Sequence, residues 1–211
     1  MNDKEKTYHE IREAIITNRI QPGERLNEKD LMDAYDVGRT PLREIFLQLR
    51  EEGLIEIIPK VGTQVKRVDI QEIRNVIEVR RWLEQLVGRL AAERISDEQL
   101  SELKGIIDAV DRLAQDDRAE VNALNSYDIR FHNILYQATD NQILQEILPR
   151  LMSKMARFWY YIGFQATEFL GHFDDLRELV SALEKRDATG VQQALDSHLD
   201  HFVSKVKQQI L

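Results

Sequence analysis

Asp128 and His132 stand four residues apart, so on a helix their side chains project side by side and can hold one ion. His198 falls with Ala194, Leu195 and Phe202 on the inward side of the last helical pattern, where a purely solvating histidine is out of place. Carboxylate oxygen with imidazole nitrogen suits one divalent zinc, nickel, iron or manganese ion, and open positions on such an ion accept a ligand carboxylate. By spacing alone, an Asp-x-x-x-His pair is more often a surface or hydrogen-bonded core pair than a ligand pair. Arg39 and Arg43 carry a different chemistry. They lie one helical turn apart, opposite the apolar stripe Leu42, Ile45, Phe46 and Leu49, so both guanidinium groups can reach one stretch of DNA major groove.

Other chemistries are missing from the chain. It has no cysteine, hence no disulfide, thiolate metal site or thiol nucleophile. It has no Gly-rich phosphate loop, no serine in a nucleophile turn and no repeated Glu-x-x-His of a di-iron bundle, so it is expected not to be an enzyme. No apolar run approaches the roughly 18 residues of a membrane span, which leads to the expectation of a cytoplasmic protein without a membrane partner. The net charge is −8, unevenly spread. Residues 1–67 hold 12 Lys+Arg against 13 Asp+Glu, and residues 68–211 hold 17 against 24. DNA affinity must therefore come from a local patch, Arg39, Arg43, Arg50, Lys60, Lys66 and Arg67, doubled in a dimer. Arg50-Glu51-Glu52 reads as a solvated helix face, and His9 and His201 as surface residues.

The elements that must position these residues are well signposted. Tyr8, Ile11, Ile15 and Ile16 mark a first helix, and Gln21-Pro22-Gly23 a turn. Asn27 is an N-cap for a second helix with Leu31 and Tyr35 inward. Pro41 suits the first turn of the third helix and Gly53 the left-handed residue after its end. Leu54–Ile58, a turn through Pro59-Lys60-Val61-Gly62, and Thr63–Arg67 then form a hairpin. Three helices and a β-hairpin wing make a winged helix-turn-helix.

Three separated motifs, Gln21–Glu28, Arg39–Glu44 and Glu52–Ile55, resemble the GntR family of bacterial transcriptional regulators over residues 1–67. The resemblance implies that Arg39 and Arg43 contact bases or phosphates of double-stranded DNA, helped by Thr40, by Lys29 on the second helix, and by Lys60 and Gly62 at the wing tip. Gly38 departs from the Ser or Thr usual in the family; the cap weakens by a few tenths of a kcal/mol and a hydroxyl contact is lost.

From Asp69 onward the chain reads as helix after helix: a stripe Ile73, Val76, Ile77, Leu83, Leu86, Val87, Leu90; a capping box at Ser96-Asp97-Glu98-Gln99; then helices near 120–139, 141–165, 167–186 and 188–210. Pro149 is expected to kink the 141–165 helix, the longest. The aromatic run Arg157–Phe164 reads as core and dimer interface rather than a base-stacking platform. The fold class is mainly α, a winged helix-turn-helix domain (1–68) followed by an all-α antiparallel bundle (69–211).

This second part resembles the all-helical FCD-type ligand-binding domain of FadR-like GntR regulators, through Ile77–Glu84, Asp128–His132, Ala138–Asn141 and the pair Asp187 and His198. The resemblance implies a divalent metal held by Asp128, His132 and His198. The fourth family histidine falls at Leu176; His172, one turn earlier and on the same face, completes the set only if the helix is shifted or the metal lies differently. Arg80 is expected to bind an anionic effector or else to pair with a helical glutamate. The implied function is a homodimeric regulator, a repressor, whose affinity for a pseudo-palindromic operator answers to a small carboxylate. The alternatives are a helical-bundle metalloprotein and a partner-binding protein whose winged helix does not read DNA.

Overall fold

The computed structural model describes residues 3–115, 120–163 and 165–210. Among them are nine helices and one hairpin: α1 Asp3–Ile16, α2 Glu28–Tyr35, α3 Arg39–Glu51, β1 Ile55–Ile58, β2 Gly62–Val65, α4 Ile70–Arg94, α5 Asp97–Ala114, α6 Val121–Ala138, α7 Gln142–Tyr161, α8 Ala166–Glu184 and α9 Ala188–Ile210. The chain divides into two compact units, one of residues 1–72 and 156–161, the other of 73–155 and 162–211.

In the first unit the apolar stripe of α3 is buried in full, Leu42, Ile45, Phe46 and Leu49 packing with Ile11, Ile15 and Ile16 of α1 and with Leu54, Ile55 and Val65. Asn27 accepts from Lys29 N and opens α2, whereas Gly38 opens α3 with no side-chain cap. Gly53 ends α3 at φ +73, a left-handed conformation that Gly adopts without penalty. β1 and β2 pair antiparallel with Ile58 opposite Gly62. The segment before α2 adds to this hairpin: Gly23 N donates to Val65 O (2.8 Å), Val65 N to Glu24 O (2.9 Å) and Leu26 N to Thr63 O (2.9 Å). The wing is thus fixed at its base, with its tip at Lys60 and Val61 exposed.

Glu52 corrects the reading of Arg50–Glu52 as a solvated face. Its carboxylate, on the residue after α3, accepts from Tyr8 Oη and from Arg12 Nε at 2.7 Å, tying α3 to α1. Only Arg50 and Glu51 are exposed.

The second unit is an all-helical bundle. α5 carries the complete capping box, Ser96 accepting from Gln99 N and Gln99 Oε1 from Ser96 N. α4 and α9 approach closely at Gly88, where a Cβ would sit 3.2 Å from the Gln192 backbone. Gln85 and Gln192 exchange side-chain to carbonyl hydrogen bonds beside it. Arg186, after α8, donates to Ala92, Glu93 and Ile95 carbonyls and so satisfies the C-terminal end of α4.

Two expectations about α7 change. It ends at Tyr161 rather than 165, with Gly163 at φ +71 after it, and α4, not α7, is the longest helix. Pro149 lies inside it, and Ser153 Oγ donates to the Pro149 carbonyl. Of the aromatic run, Phe158 and Trp159 are buried, Tyr160 packs on the first unit's core and Tyr161 is exposed; Phe164 lies outside the described residues.

Candidate metal centre and DNA-reading face

α6 brings Asp128 and His132 to one buried spot, as the spacing of four requires, and α9 brings His198 to it. One donor atom from each of the three lies within 4.8 Å of the others. His132 Nδ1 is 3.4 Å from Asp128 Oδ1, and His198 Nε2 is 3.9 Å from it. His172 of α8 joins them: its Nε2 is 4.0 Å from the same oxygen and its ring lies 3.6 Å, centroid to centroid, from that of His198. Leu176, at the position where the resembled family carries its histidine, is a wholly buried core residue.

The backbone fixes two imidazoles for ligation. His132 Nδ1 is 3.0 Å from the Asp128 carbonyl, and His198 Nδ1 is 3.1 Å from the His172 carbonyl. A carbonyl only accepts, so each Nδ1 carries a proton, and in the neutral ring the Nε2 lone pair is left for the cluster. Asp128 Oδ1 and His132 Nε2 are both buried without a hydrogen-bond partner, a costly state for a carboxylate and an imidazole. A divalent cation satisfies both at once, so these residues fit such a group.

The electrostatics agree. Burial pushes the His172 pKa down to about 4, and burial together with His172 and His132 holds His198 well below the usual histidine range. Both are therefore neutral near pH 7, the form that ligates. Burial opposes charge on Asp128 and His132 too, but their mutual attraction prevails, lowering the Asp128 pKa and raising that of His132.

Arg80 and Glu84 of α4 border this cluster. Both are buried, Arg80 Nη2 lies 2.5 Å from Glu84 Oε1, and Tyr136 Oη donates to the same oxygen at 2.8 Å. Arg80 Nη1 reaches Met155 Sδ at 2.7 Å. The glutamate partner was one of the two expectations for Arg80. Glu84 itself was not anticipated, because a lone glutamate on a half-polar helix is ordinarily solvated. His201 is exposed as expected, yet its Nδ1 lies 2.5 Å from Asp175 Oδ2, and Asp175 is buried.

In the first unit, Lys29, Arg39, Thr40, Arg43, Lys60 and Gly62 are all exposed. Lys29 is on α2, the next three are on α3, and the last two belong to the wing. Arg39 and Arg43 are not independent cations. Glu28, the first residue of α2, lies 3.6 Å from Arg39 Nε and accepts from Arg43 Nε at 3.1 Å.

A winged helix-turn-helix with an arginine-bearing third helix, followed by an all-helical domain with a buried polar cluster, is the architecture of a transcriptional regulator with a DNA-binding and an effector-binding domain. The comparisons agree: the model of the bacterial regulatory proteins of the gntR family matches residues 3–65, and the FCD domain model matches residues 75–201. The chain belongs to the GntR family, in its FCD-bearing branch; members regulate transcription and are not enzymes. It is 31% identical over 97% of its length to the HTH-type transcriptional repressor RspR of Escherichia coli K12, spanning 89% of that protein. It is 26% identical over 91% of its length to the transcriptional repressor GlaR of the same organism, spanning 90% of it. The E. coli McbR/YncC structure superimposes with a TM-score of 0.86 over all of both chains, at 20% identity, a likeness of fold. Among the described residues, no helix is long and apolar enough to cross a membrane.

Proposed function

We propose that this regulator is a cytoplasmic, homodimeric repressor whose operator affinity is set by a small carboxylate bound in the FCD domain at a divalent ion. The domains are taken as residues 1–68 and 69–211. Asp128, His132 and His198 hold the ion, with His172 as the fourth group, and Arg80 attracts the anion. Lys29, Arg39, Thr40, Arg43, Lys60 and Gly62 meet DNA, and a two-fold dimer reads a pseudo-palindrome through successive major grooves. The repressor reading is supported by the names of RspR and GlaR.

One observation carries the ligand reading: Asp128 Oδ1 and His132 Nε2 face the same buried cluster without hydrogen-bond partners, while the Nδ1 protons of His132 and His198 are engaged by carbonyls. A metal bound there supplies a Lewis-acidic position for a carboxylate. The chain's own part is to hold the His172 and His198 imidazoles neutral, to keep the Asp128 carboxylate ionised beside His132, and to place a guanidinium beside them. An effector acts only through its different affinity for DNA-competent and incompetent dimers; a coupling of roughly 1–3 kcal/mol suffices.

Elemental analysis of untagged protein tests the centre. Stoichiometric metal in the wild type and its loss in His132→Ala are expected; loss also in His172→Ala assigns four ligands, retention assigns three. Absence of metal after dialysis against zinc, nickel, manganese or ferrous iron would refute it. Operator titration with a carboxylate panel tests the effector: a ligand that raises thermal stability yet leaves operator affinity unchanged counts against it.

A further inference from the structure

Glu28 stands where α2 begins and faces both arginines of α3. Arg43 approaches it with two nitrogens, Nε to Oε1 at 3.1 Å and Nη2 to Oε2 at 3.4 Å, and Arg39 Nε lies 3.6 Å from Oε2. The arginine side chains are 66% and 62% exposed, so their contact with Glu28 is not forced by packing. Asn27 caps α2 through Lys29 N and fixes the helix start on which the carboxylate is mounted. Thus one carboxylate sits between two cations on the face that carries Lys29, Arg39, Thr40 and Arg43.

This arrangement has two physical effects on DNA binding. The first is electrostatic: nonspecific affinity arises from neutralised phosphates, and a carboxylate beside the arginines subtracts from that term whatever the sequence. The second is geometric. Arg43 uses its Nε–Nη2 edge on Glu28, which leaves its terminal Nη1 and Nη2 protons for the O6 and N7 acceptors of a guanine. The guanidinium plane is ordered before DNA arrives, so less side-chain entropy is lost on forming a bidentate contact. A solvent-exposed ion pair contributes little to fold stability, so the effect belongs to recognition.

We propose that Glu28 is a specificity-determining residue of the DNA-reading face, one that weakens binding to random sequence while holding Arg39 and Arg43 in place for their bases. The proposal rests on the reading that these arginines meet DNA.

The test uses the full-length protein, a duplex selected by it from a random library, and an unselected duplex of equal length, each titrated across a salt series. Glu28→Gln is expected to raise affinity for the unselected duplex roughly three- to tenfold at low salt and to steepen its salt slope toward about 0.9 more per subunit. Affinity for the selected duplex changes less, so the ratio of the two falls. Glu28→Asp keeps the charge but shortens the reach; it is expected to leave the salt slope alone and to lower affinity for the selected duplex, so the ratio falls by the other route. A ratio unchanged in Glu28→Gln, or Glu28→Asp indistinguishable from wild type, overturns the proposal. Arg43→Ala separates the two levels: if it binds both duplexes like wild type, the contact reading fails and the proposal with it. If Arg43→Ala loses the selected duplex while both Glu28 variants keep the wild-type ratio, only the proposal fails.

Discussion

Protonation of the buried imidazoles makes the FCD domain sensitive to acid in a calculable direction. The folded pKa of His172, about 4, lies below the ordinary histidine value, and that of His198 is shifted the same way. In the unfolded chain both take up a proton near pH 6.5. The unfolded state therefore binds more protons between pH 6.5 and about 4, and folding stability falls as pH falls through that window. His132 has the opposite sign: its folded pKa is raised, so its contribution is present below pH 6.5 and is lost as pH rises through its folded value. Asp128, held low, contributes above its unfolded pKa and loses that contribution only at stronger acid. Chelator-treated protein is expected to melt at progressively lower temperature from pH 6.5 to 4.5, and His172→Asn to flatten that profile. A Tm that does not fall over this interval would exclude the assignment of neutral imidazoles. Glu52 gives a second residue-level expectation. Glu52→Gln keeps the shape but removes the charge that both Tyr8 and Arg12 address, and should cost about 1–2 kcal/mol in chemical denaturation. A change below the measurement error would show that the junction of α1 and α3 stands on its apolar contacts alone.

Caps, apolar faces and the helix ends that carry a cap signal are readable because each is set by neighbours in sequence: Ser96 and Gln99 announce α5, Gly53 ends α3, and the stripe of α3 is buried residue for residue, whereas α7 stops four residues before the expected 165. Charged residues paired across long sequence separations were not readable. Glu84 accepts from Tyr136, 52 residues away, and Glu52 from Tyr8, 44 residues away. Periodicity assigns such residues to solvent unless the partner is already known. His172 shows the same limit from another side. Counting along the family pattern leads to Leu176, but α8 packs so that the histidine one turn earlier meets His198. A close helix crossing is likewise invisible to composition. At Gly88 a helix-interior Gly→Ala change would by propensity alone stabilise by about 1 kcal/mol. Here the new methyl would press on Gln192 Cγ at 2.9 Å and on its backbone at 3.2 Å. Backbone cannot step aside as a side-chain tip can, so Gly88→Ala is expected to lower stability by about 1–2 kcal/mol net. An increase in Tm would show that α4 and α9 separate without penalty.

Two helices contribute residues to both compact units, so the proposed coupling of effector to operator can be tested on a helix rather than on a linker. α4 starts in the first unit at Ile70 and enters the second at Ile73; α7 leaves the second at Met155 and spends Ala156–Tyr161 in the first. Within one turn of α7, Met155 accepts from Arg80 in the ligand-binding unit, Ala156 is buried in the DNA-binding unit's core, and Arg157 donates to the Lys66 carbonyl just after the wing. A helical rod transmits displacement only while its hydrogen-bond ladder stays stiff. On the proposed reading an anion drawn to Arg80 competes with Glu84 and Met155 for the guanidinium, and Met155 is the residue before Ala156 in α7. Ala156→Gly loosens the rod at this peptide, at about 1 kcal/mol of helix propensity. Effector affinity and effector-free operator affinity should each stay within a few-fold of wild type, whereas the ratio of operator affinities with and without effector should shrink toward one. Operator titrations with and without a saturating effector measure that ratio. A ratio equal to the wild type's, in a variant that has paid the stability cost, would exclude α7 as the coupling element.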